Sequence, residues 1–591
     1  MSKYLREVLI LLGSDRKKIP TMLILFLFIS LSEVASIGFI GPYIAIVAKP
    51  DVAPIYVKMS QQWQLTFITE DTLLYVMSVV LLMVFVFKSI LGIFVNYVIV
   101  RFSEAQQVRL RSQLMMSYQS LKYTTYLRRN SSEYMRSSQV LVTQFAQGVI
   151  FAGMKTLSEM IVAIVILSFL AWTSPIAFSI LMLLLVMFLS VYDLVFRRKV
   201  KSYGEKRNVS SKKLVQAISE GLEGLKNIRV LKRESFFYNK VVESTKEIAN
   251  YNIKSTLIST SNRYLLELLM VLFVVLLVFI TLMSKSGSEQ MIPILGIFGV
   301  AAIRLLPAAN KLSISIMNLR LHRNTVEILS KDVIEFGSIH NHSSKKSTAS
   351  ESCEEFVSFC IDNVSFRYPS TNKKALNQLC LDFNRGDSIG LIGVSGSGKT
   401  TLVDLLLGLL VPQEGKVTYN GKSLDKNLDS WLSHVAYISQ QVFLTDDTLR
   451  RNIAFGIEDK SIDETRVKEC LARASLAELV NDLPEGIDTF VGERGVRLSG
   501  GQRQRVALAR AFYYSRDVLI MDESTSALDN ETEAEIVKEI KSLKGKITMV
   551  VISHRHSTVM HCDRIYKIEK GKIIAFGSPQ EMLKSNNTKV L

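Results

Sequence analysis

At 591 residues the chain is too long for one domain, and 48% apolar residues with a mean hydropathy of +0.24 is too apolar for two soluble ones. A formal charge of +17 raises nucleic acid as a partner, but the basic residues cluster beside apolar stretches, as in the cytoplasmic loops of membrane proteins, and no nucleic acid is expected. Cys353, Cys360, Cys380, Cys470 and Cys562 all lie in the C-terminal half without the paired spacing of a metal site or a secreted disulfide framework, so that half reads as cytosolic and reduced.

Met1 to Lys18 mixes charge with short apolar runs and has no small-residue cleavage site, so a cleaved secretory signal is not expected. Six segments then reach the about 20 apolar residues a helix needs to cross hydrocarbon, at roughly 20–48, 72–100, 146–172, 176–198, 255–284 and 290–318. Polar stretches with Arg101, Arg109, Arg111, Arg128, Arg129 and Arg136 separate the second from the third. Arg197, Arg198, Lys199, Lys201, Lys206, Arg207, Lys212 and Lys213 follow the fourth. The other connections are short, with Lys285 the one basic residue of Ser284 to Gln290, so the positive-inside bias puts both termini and both long loops in the cytoplasm. A polar helix is expected to about Phe336, and the Ser-, His-, Lys- and Glu-rich stretch after it cannot bury a core and reads as a linker. The expected organisation is a six-helix membrane domain over 1–336, a linker over 337–354 and an α/β domain over 355–591.

From Phe356 short β runs alternate with helices at α/β spacing. The run Ser388-Ile389-Gly390-Leu391-Ile392 reads as a strand feeding Gly393, Val394, Ser395, Gly396, Ser397, Gly398, Lys399 and Thr400, and Thr401 opens a helix, which is the context a phosphate-binding loop requires. Glycines let backbone N–H groups close around phosphates, and the helix N-terminus adds partial positive charge. Lys399 is expected on the β- and γ-phosphates and Thr400 on Mg²⁺. Val518 to Met521 reads as a buried parallel strand ending in Asp522, placed to hold Mg²⁺ through water, with Glu523 next in line as general base for the attacking water.

Between these two elements stands Leu498-Ser499-Gly500-Gly501-Gln502. In that order, downstream of a long hydrophobic half, the three elements resemble the nucleotide-binding domain of an ATP-binding-cassette (ABC) transporter. The whole chain resembles an exporter half-transporter: an α-helical six-span transmembrane domain followed by an α/β P-loop nucleotide-binding domain. The resemblance implies ATP and Mg²⁺ as ligands and carries further roles. Tyr368, in Val364-Ser365-Phe366-Arg367-Tyr368-Pro369, matches the aromatic that stacks on adenine. Gln440 matches the glutamine linking Mg²⁺ to the membrane domain, with Ser439 where the family usually has proline. Asp529 closes what resembles the D-loop, and His554 matches the switch histidine at the γ-phosphate. In this family Leu498, Ser499, Gly500, Gly501 and Gln502 bind ATP held by the opposite domain, so a homodimer with two equivalent sites is implied. Stretches around Ser117–Tyr134 and Ile218–Arg233 look like coupling helices.

The cargo must be read from ionisable residues in the spans. Lys88, Arg263 and Arg304 sit in or at the edge of apolar segments, with Glu33 and Glu159 as acidic company. An intramembrane charge is costly unless paired or used. Either Lys88 pairs with Glu33 while the arginines snorkel, or the three cations line a path for an anionic headgroup. The run Arg304-Leu305-Leu306-Pro307-Ala308-Ala309-Asn310, Glu33, and the polar insert Lys49 to Glu70 with its amphipathic Ile55–Trp63 look like the bacterial flippases of lipid-linked oligosaccharides, including the protein N-glycosylation type. That resemblance implies ATP-driven translocation of a polyprenyl-pyrophosphate-linked oligosaccharide across the cytoplasmic (inner) membrane, with membrane lipid as a partner. Export of a peptide, drug or other lipid is the alternative within the class. A non-transporting regulator or channel gate is the alternative outside it, against which intact Glu523 and His554 argue.

Overall fold

The computed structural model describes residues 2–48, 54, 57, 70–173, 175–283, 291–343, 354–369, 371–523, 533–534, 537–538, 541–553 and 555–584. They form two units: Met1–Leu121 with Arg129–Lys346, and Lys122–Arg128 with Ser347–Leu591.

The first unit is helical. Its long elements are α1 (Ile19–Ala48), α2 (Glu70–Gln119), α3 (Ala152–Thr173), α4 (Pro175–Glu223), α5 (Glu234–Met283) and α6 (Met291–Leu321), one for each apolar segment of the sequence. Five helices among the described residues are long and apolar enough to cross a membrane. The helices α2 and α5 have 50 residues each, which at 1.5 Å per residue is about 75 Å, more than twice the hydrocarbon thickness. Each therefore carries its apolar stretch and a polar one, which follows it in α2 and precedes it in α5. Within the apolar stretch Leu82, Phe87 and Ile93 stay exposed, as side chains facing lipid do.

Inward-facing positions close the bundle: Phe26, Ile99, Leu110, Leu114, Leu141 and Phe145 are fully buried together, and within the apolar spans the gain is close packing rather than escape from water. Ahead of α3 the backbone widens into π-helix at Ser137–Leu141 and Ala146–Phe151. Gly148 in the second of these meets His322, whose ring Cδ2 would lie 2.3 Å from any Cβ placed there. A Cβ at Gly204 of α4 would lie 2.2 Å from the Leu321 carbonyl oxygen, a backbone atom that cannot rotate aside. After His322 the chain continues as α7 (Arg323–Ser343), which runs past Phe336 into the stretch read as linker. The amphipathic stretch expected at Ile55–Trp63 falls, apart from Val57, outside the described residues.

The second unit holds two sheets. The strands β1 (Ser358–Phe366), β2 (Leu376–Asn384), β4 (Glu414–Tyr419) and β5 (Lys422–Ser423) form an antiparallel sheet in the order β2-β1-β4-β5. The other sheet runs β10-β9-β3-β8-β7-β6, from β3 (Ser388–Ile392), β6 (Val435–Ile438), β7 (Val518–Asp522), β8 (Thr548–Ile552), β9 (Arg564–Glu569) and β10 (Lys572–Gly577). Its inner strands pair in parallel, and every residue of β7 and β8 is buried, which is why Val518 to Met521 is an unbroken apolar run rather than an alternating one. Parallel α/β sheets bind ligands beyond the carboxyl ends of their strands. Here those ends are Ile392 of β3 and Asp522 of β7. Trp431, fully buried, anchors the layer beneath by donating its indole N–H to the Leu406 carbonyl at 2.7 Å. The short helix Tyr123–Tyr126, inside the stretch resembling a first coupling helix, groups with this unit, where Tyr123 packs on the core.

Candidate active site

The loop after β3 is a backbone cradle. Gly396 and Gly398 have φ of 75° and 111°, conformations open to glycine, and a Cβ at Gly393 would lie 2.4 Å from the Ile568 carbonyl oxygen. Gly398 then caps the helix α8 (Lys399–Leu406), whose N-terminus points its N–H groups into the loop. Lys399 folds over its own loop, donating to the carbonyls of Gly393 at 2.8 Å and Val394 at 3.1 Å. Its ammonium pKa is lowered by burial, against the opposing pull of Glu523 and Asp522. Ser397 Oγ is buried with no hydrogen-bond partner among the described residues, and Thr400 is exposed. A chain of N–H donors with one ammonium behind it is a receptor for a polyphosphate.

The carboxylates come from the neighbouring strand end. Asp522 is 7% exposed, and burial first, then Glu523, raises its pKa while Lys399 lowers it. Glu523 adopts a left-handed φ of 48°, and its N–H donates to the Ile552 carbonyl at 2.9 Å, tying the end of β7 to the end of β8. The parallel register pairs Ile438 with Met521, which brings Gln440, two residues beyond β6, level with Glu523. Its Nε2 donates to Glu523 Oε2 at 2.6 Å. The Thr400 hydroxyl, the Asp522 carboxylate and the Gln440 amide are a small set of hard oxygen donors. That set fits Mg²⁺, which keeps several waters and shares its coordination with substrate phosphates.

One group here was missed in the sequence. Asp404, four residues after Thr400 and so on the same face of α8, has its carboxyl pushed up to about 6 by burial and then by Asp522. The i, i+4 spacing from a phosphate-loop threonine was the signal available.

The remaining residues take separate places. Tyr368 stands edge-on to Phe366 with ring centroids 5.1 Å apart, and its hydroxyl lies 3.4 Å from Thr401 Oγ1, beside the phosphate loop. Ser499 caps the helix α9 (Gly500–Tyr514) in a reciprocal box: Gln502 N–H donates to Ser499 Oγ at 3.2 Å, and Ser499 N–H donates to Gln502 Oε1 at 2.8 Å. Leu498 is buried beneath this cap, Ser499 is exposed, and among the described residues no hydrogen bond joins Ser499 or Gln502 to the phosphate loop. Asp529 and His554 lie outside the described residues.

In the membrane unit Lys88 donates to Glu33 at 3.0 Å and to Ser36 Oγ at 3.3 Å. Arg263 lies on an exposed face, 2.9 Å from Glu267 one turn along its own helix. The Arg304 side chain is outside the described residues. The structure adds a group that the sequence reading had not assembled: buried Glu159 accepts from Lys311 of α6 at 2.8 Å and lies 3.9 Å from Lys155 of α3.

The chain matches the family model for the ABC transporter over residues 376–526 and that for the ABC transporter transmembrane region over residues 21–300. It is 29% identical over 447 residues to an ATP-dependent lipid A-core flippase of Cupriavidus metallidurans, covering 75% of this chain and 74% of that one. To the protein of the same description from Dechloromonas aromatica it is 30% identical over 407 residues, 68% of each chain. A solved bacterial Atm1-family ABC exporter with ATP bound superposes with a TM-score of 0.74 over 97% of both chains at 20% identity, a likeness of fold. The exporter architecture expected from the sequence is thus found in both halves. The chain belongs to the ABC transporter family, as a multi-pass membrane protein of exporter type whose ATPase domain couples hydrolysis to transport.

Proposed function

We propose that two copies of this chain form a flippase that uses ATP to move a phosphorylated glycolipid across the cytoplasmic membrane, with a polyprenyl-pyrophosphate-linked oligosaccharide as the cargo. The observation that carries a lipid cargo is the Glu159 group and what borders it. Two ammoniums, Lys155 and Lys311, share one carboxylate that is 5% exposed, while Lys311 itself is 44% exposed. One residue on from these, Thr156, Met160 and Leu312 line an apolar cavity of about 470 Å³. A cationic group against an apolar hollow suits an amphiphile with a phosphate head and a hydrocarbon chain. Arg304, whose guanidinium would pair with phosphate oxygens bidentately, is assigned to the same path from its place in the sequence. The relatives described as lipid A-core flippases support a lipid cargo in general.

In the ATP site we assign Tyr368 to the adenine and Gly393 to Thr401 to the phosphates. Thr400, Asp522 and Gln440 would hold Mg²⁺, which when bound neutralises phosphate charge. Glu523, held by Gln440, takes the proton of the attacking water. The exposed cap at Ser499 and the N–H groups opening α9 form a second anion-binding helix end, which supports the reading that Leu498 to Gln502 act on ATP held by a partner subunit.

Proteoliposomes loaded with fluorescent lipids test the cargo. The protein should flip a lipid pyrophosphate oligosaccharide and leave a phosphate-free analogue behind. The Lys155→Gln, Lys311→Gln double variant should lose that preference together with lipid-stimulated hydrolysis. Equal flipping of charged and uncharged lipids by the unaltered protein would reject the reading.

A further inference from the structure

Glu533 is 6% exposed, although no nucleotide-binding motif includes it. Both of its oxygens are engaged by one short segment. Oε2 accepts from Arg555 Nη1, while Oε1 accepts from Ser557 Oγ at 2.8 Å and from Thr558 Oγ1 at 3.3 Å. Arg555 precedes the helix α10 (His556–Val559), a one-turn helix whose N-terminus has no side-chain cap of its own, and its N–H donates to Ser553 Oγ at 2.9 Å. On the other side Ile552, the last residue of β8, is held by the Glu523 N–H. Between those two anchors the chain has only Ser553 and His554 before Arg555.

We infer that Glu533 is a positioning residue for ATP hydrolysis: it clamps Arg555, Ser557 and Thr558, which follow His554 in the sequence, as the Glu523 N–H holds Ile552, which precedes it. The inference rests on His554 acting at the γ-phosphate. Glu523 supplies one anchor through its own backbone N–H, and Glu533, ten residues further along the sequence, supplies the other. A buried carboxylate that binds an arginine and two hydroxyls fixes geometry more than it adds stability, because its desolvation offsets much of the attraction. Catalysis is sensitive to such geometry, a misplacement of about 1 Å costing on the order of 10²-fold.

The test compares Glu533→Ala, Glu533→Gln and the Ser557→Ala, Thr558→Val double variant, each alone and in a His554→Ala background. It uses the full-length protein in nanodiscs and reads kcat, KM for ATP and the thermal midpoint. In the otherwise unaltered protein kcat should fall by about 10-fold or more in Glu533→Ala and by less in Glu533→Gln, which can still accept from the hydroxyls. KM should move less than about 3-fold, since among the described residues no hydrogen bond or ion pair joins Glu533 to the phosphate loop. In the His554→Ala background the same changes should lower the remaining kcat no further, the mark of residues acting as a unit. Additive losses in both backgrounds, or unchanged kcat in a well-folded Glu533→Ala protein, would overturn the inference. Should Glu533→Ala fail to fold, the hydroxyl double variant carries the same comparison. Near-normal hydrolysis by His554→Ala alone would instead remove the role given to His554.

Discussion

Replacing Lys88 by Met separates a structural cation from one that meets cargo. Lys88 is 22% exposed and Glu33 4%, with 3.0 Å between charged atoms. Taking away the ammonium removes the Lys88 ion pair from a buried carboxylate inside an apolar bundle, a loss of about 3–5 kcal/mol in such sites. The partial exposure of Lys88 places the estimate near the lower end, about 3 kcal/mol, and at roughly 2 °C per kcal/mol for a large domain the thermal midpoint should fall by about 6 °C. Converting Glu33 to Gln in the same chain should restore most of the loss, because the pair is then neutral on both sides. Differential scanning calorimetry in nanodiscs reads both effects, and lipid flipping is measured on the same samples. An unchanged midpoint in Lys88→Met with flipping abolished would refute the structural assignment and move Lys88 into the cargo path.

Glu523→Gln should retain nucleotide binding while phosphate release falls by about 10²-fold or more, measured on purified protein, since the amide can still accept from Gln440 but cannot take a proton. Mixed dimers of Lys399→Ala and Ser499→Arg chains should hydrolyse ATP at one of their two sites where both parents are inactive; mixtures no faster than either parent would count against sites shared between subunits. In nucleotide-free protein, Asp404→Asn should raise the thermal midpoint at pH 8 and leave it unaltered at pH 4. The Asp404 carboxyl titrates at about 6 in the fold against 3.8 in its ordinary state, so between those values the folded protein holds the extra proton and stability falls as pH rises, then stays level. Because Asp404 is half-buried, the gain at pH 8 is discounted for solvent screening to roughly 1 kcal/mol.

Motifs whose chemistry is local were legible in the sequence. The strand, the glycine loop and the helix from Ser388 to Leu406 are contiguous, and each glycine with a demanding geometry, Gly393, Gly396 and Gly398, is written at its place. The same holds for the end of β7, where an apolar run followed by two carboxylates marks a buried parallel strand opening on a site. Legibility failed where function is assembled across the chain. Glu159 was visible as a charge in an apolar span, and Lys155 stands one turn before it on the same helix, but the partner Lys311 was not visible, because the rotation of α6 against α3 depends on packing and not on either helix's own period. The π-helical turns at Ser137–Leu141 and Ala146–Phe151 shift that rotation without interrupting the apolar run. Glu533 was hidden for a related reason, its partners standing more than twenty residues away across the sheet.

The central claim is that ATP hydrolysis drives an anionic lipid across the bilayer. Purified protein in proteoliposomes, given a fluorescent polyprenyl-pyrophosphate oligosaccharide, a lipid A-core glycolipid and a phosphate-free analogue, tests it most directly. The account predicts translocation of the polyprenyl-linked oligosaccharide that needs ATP and stops in Glu523→Gln, with the phosphate-free lipid left in place; steady ATP hydrolysis with none of the three lipids crossing would contradict it.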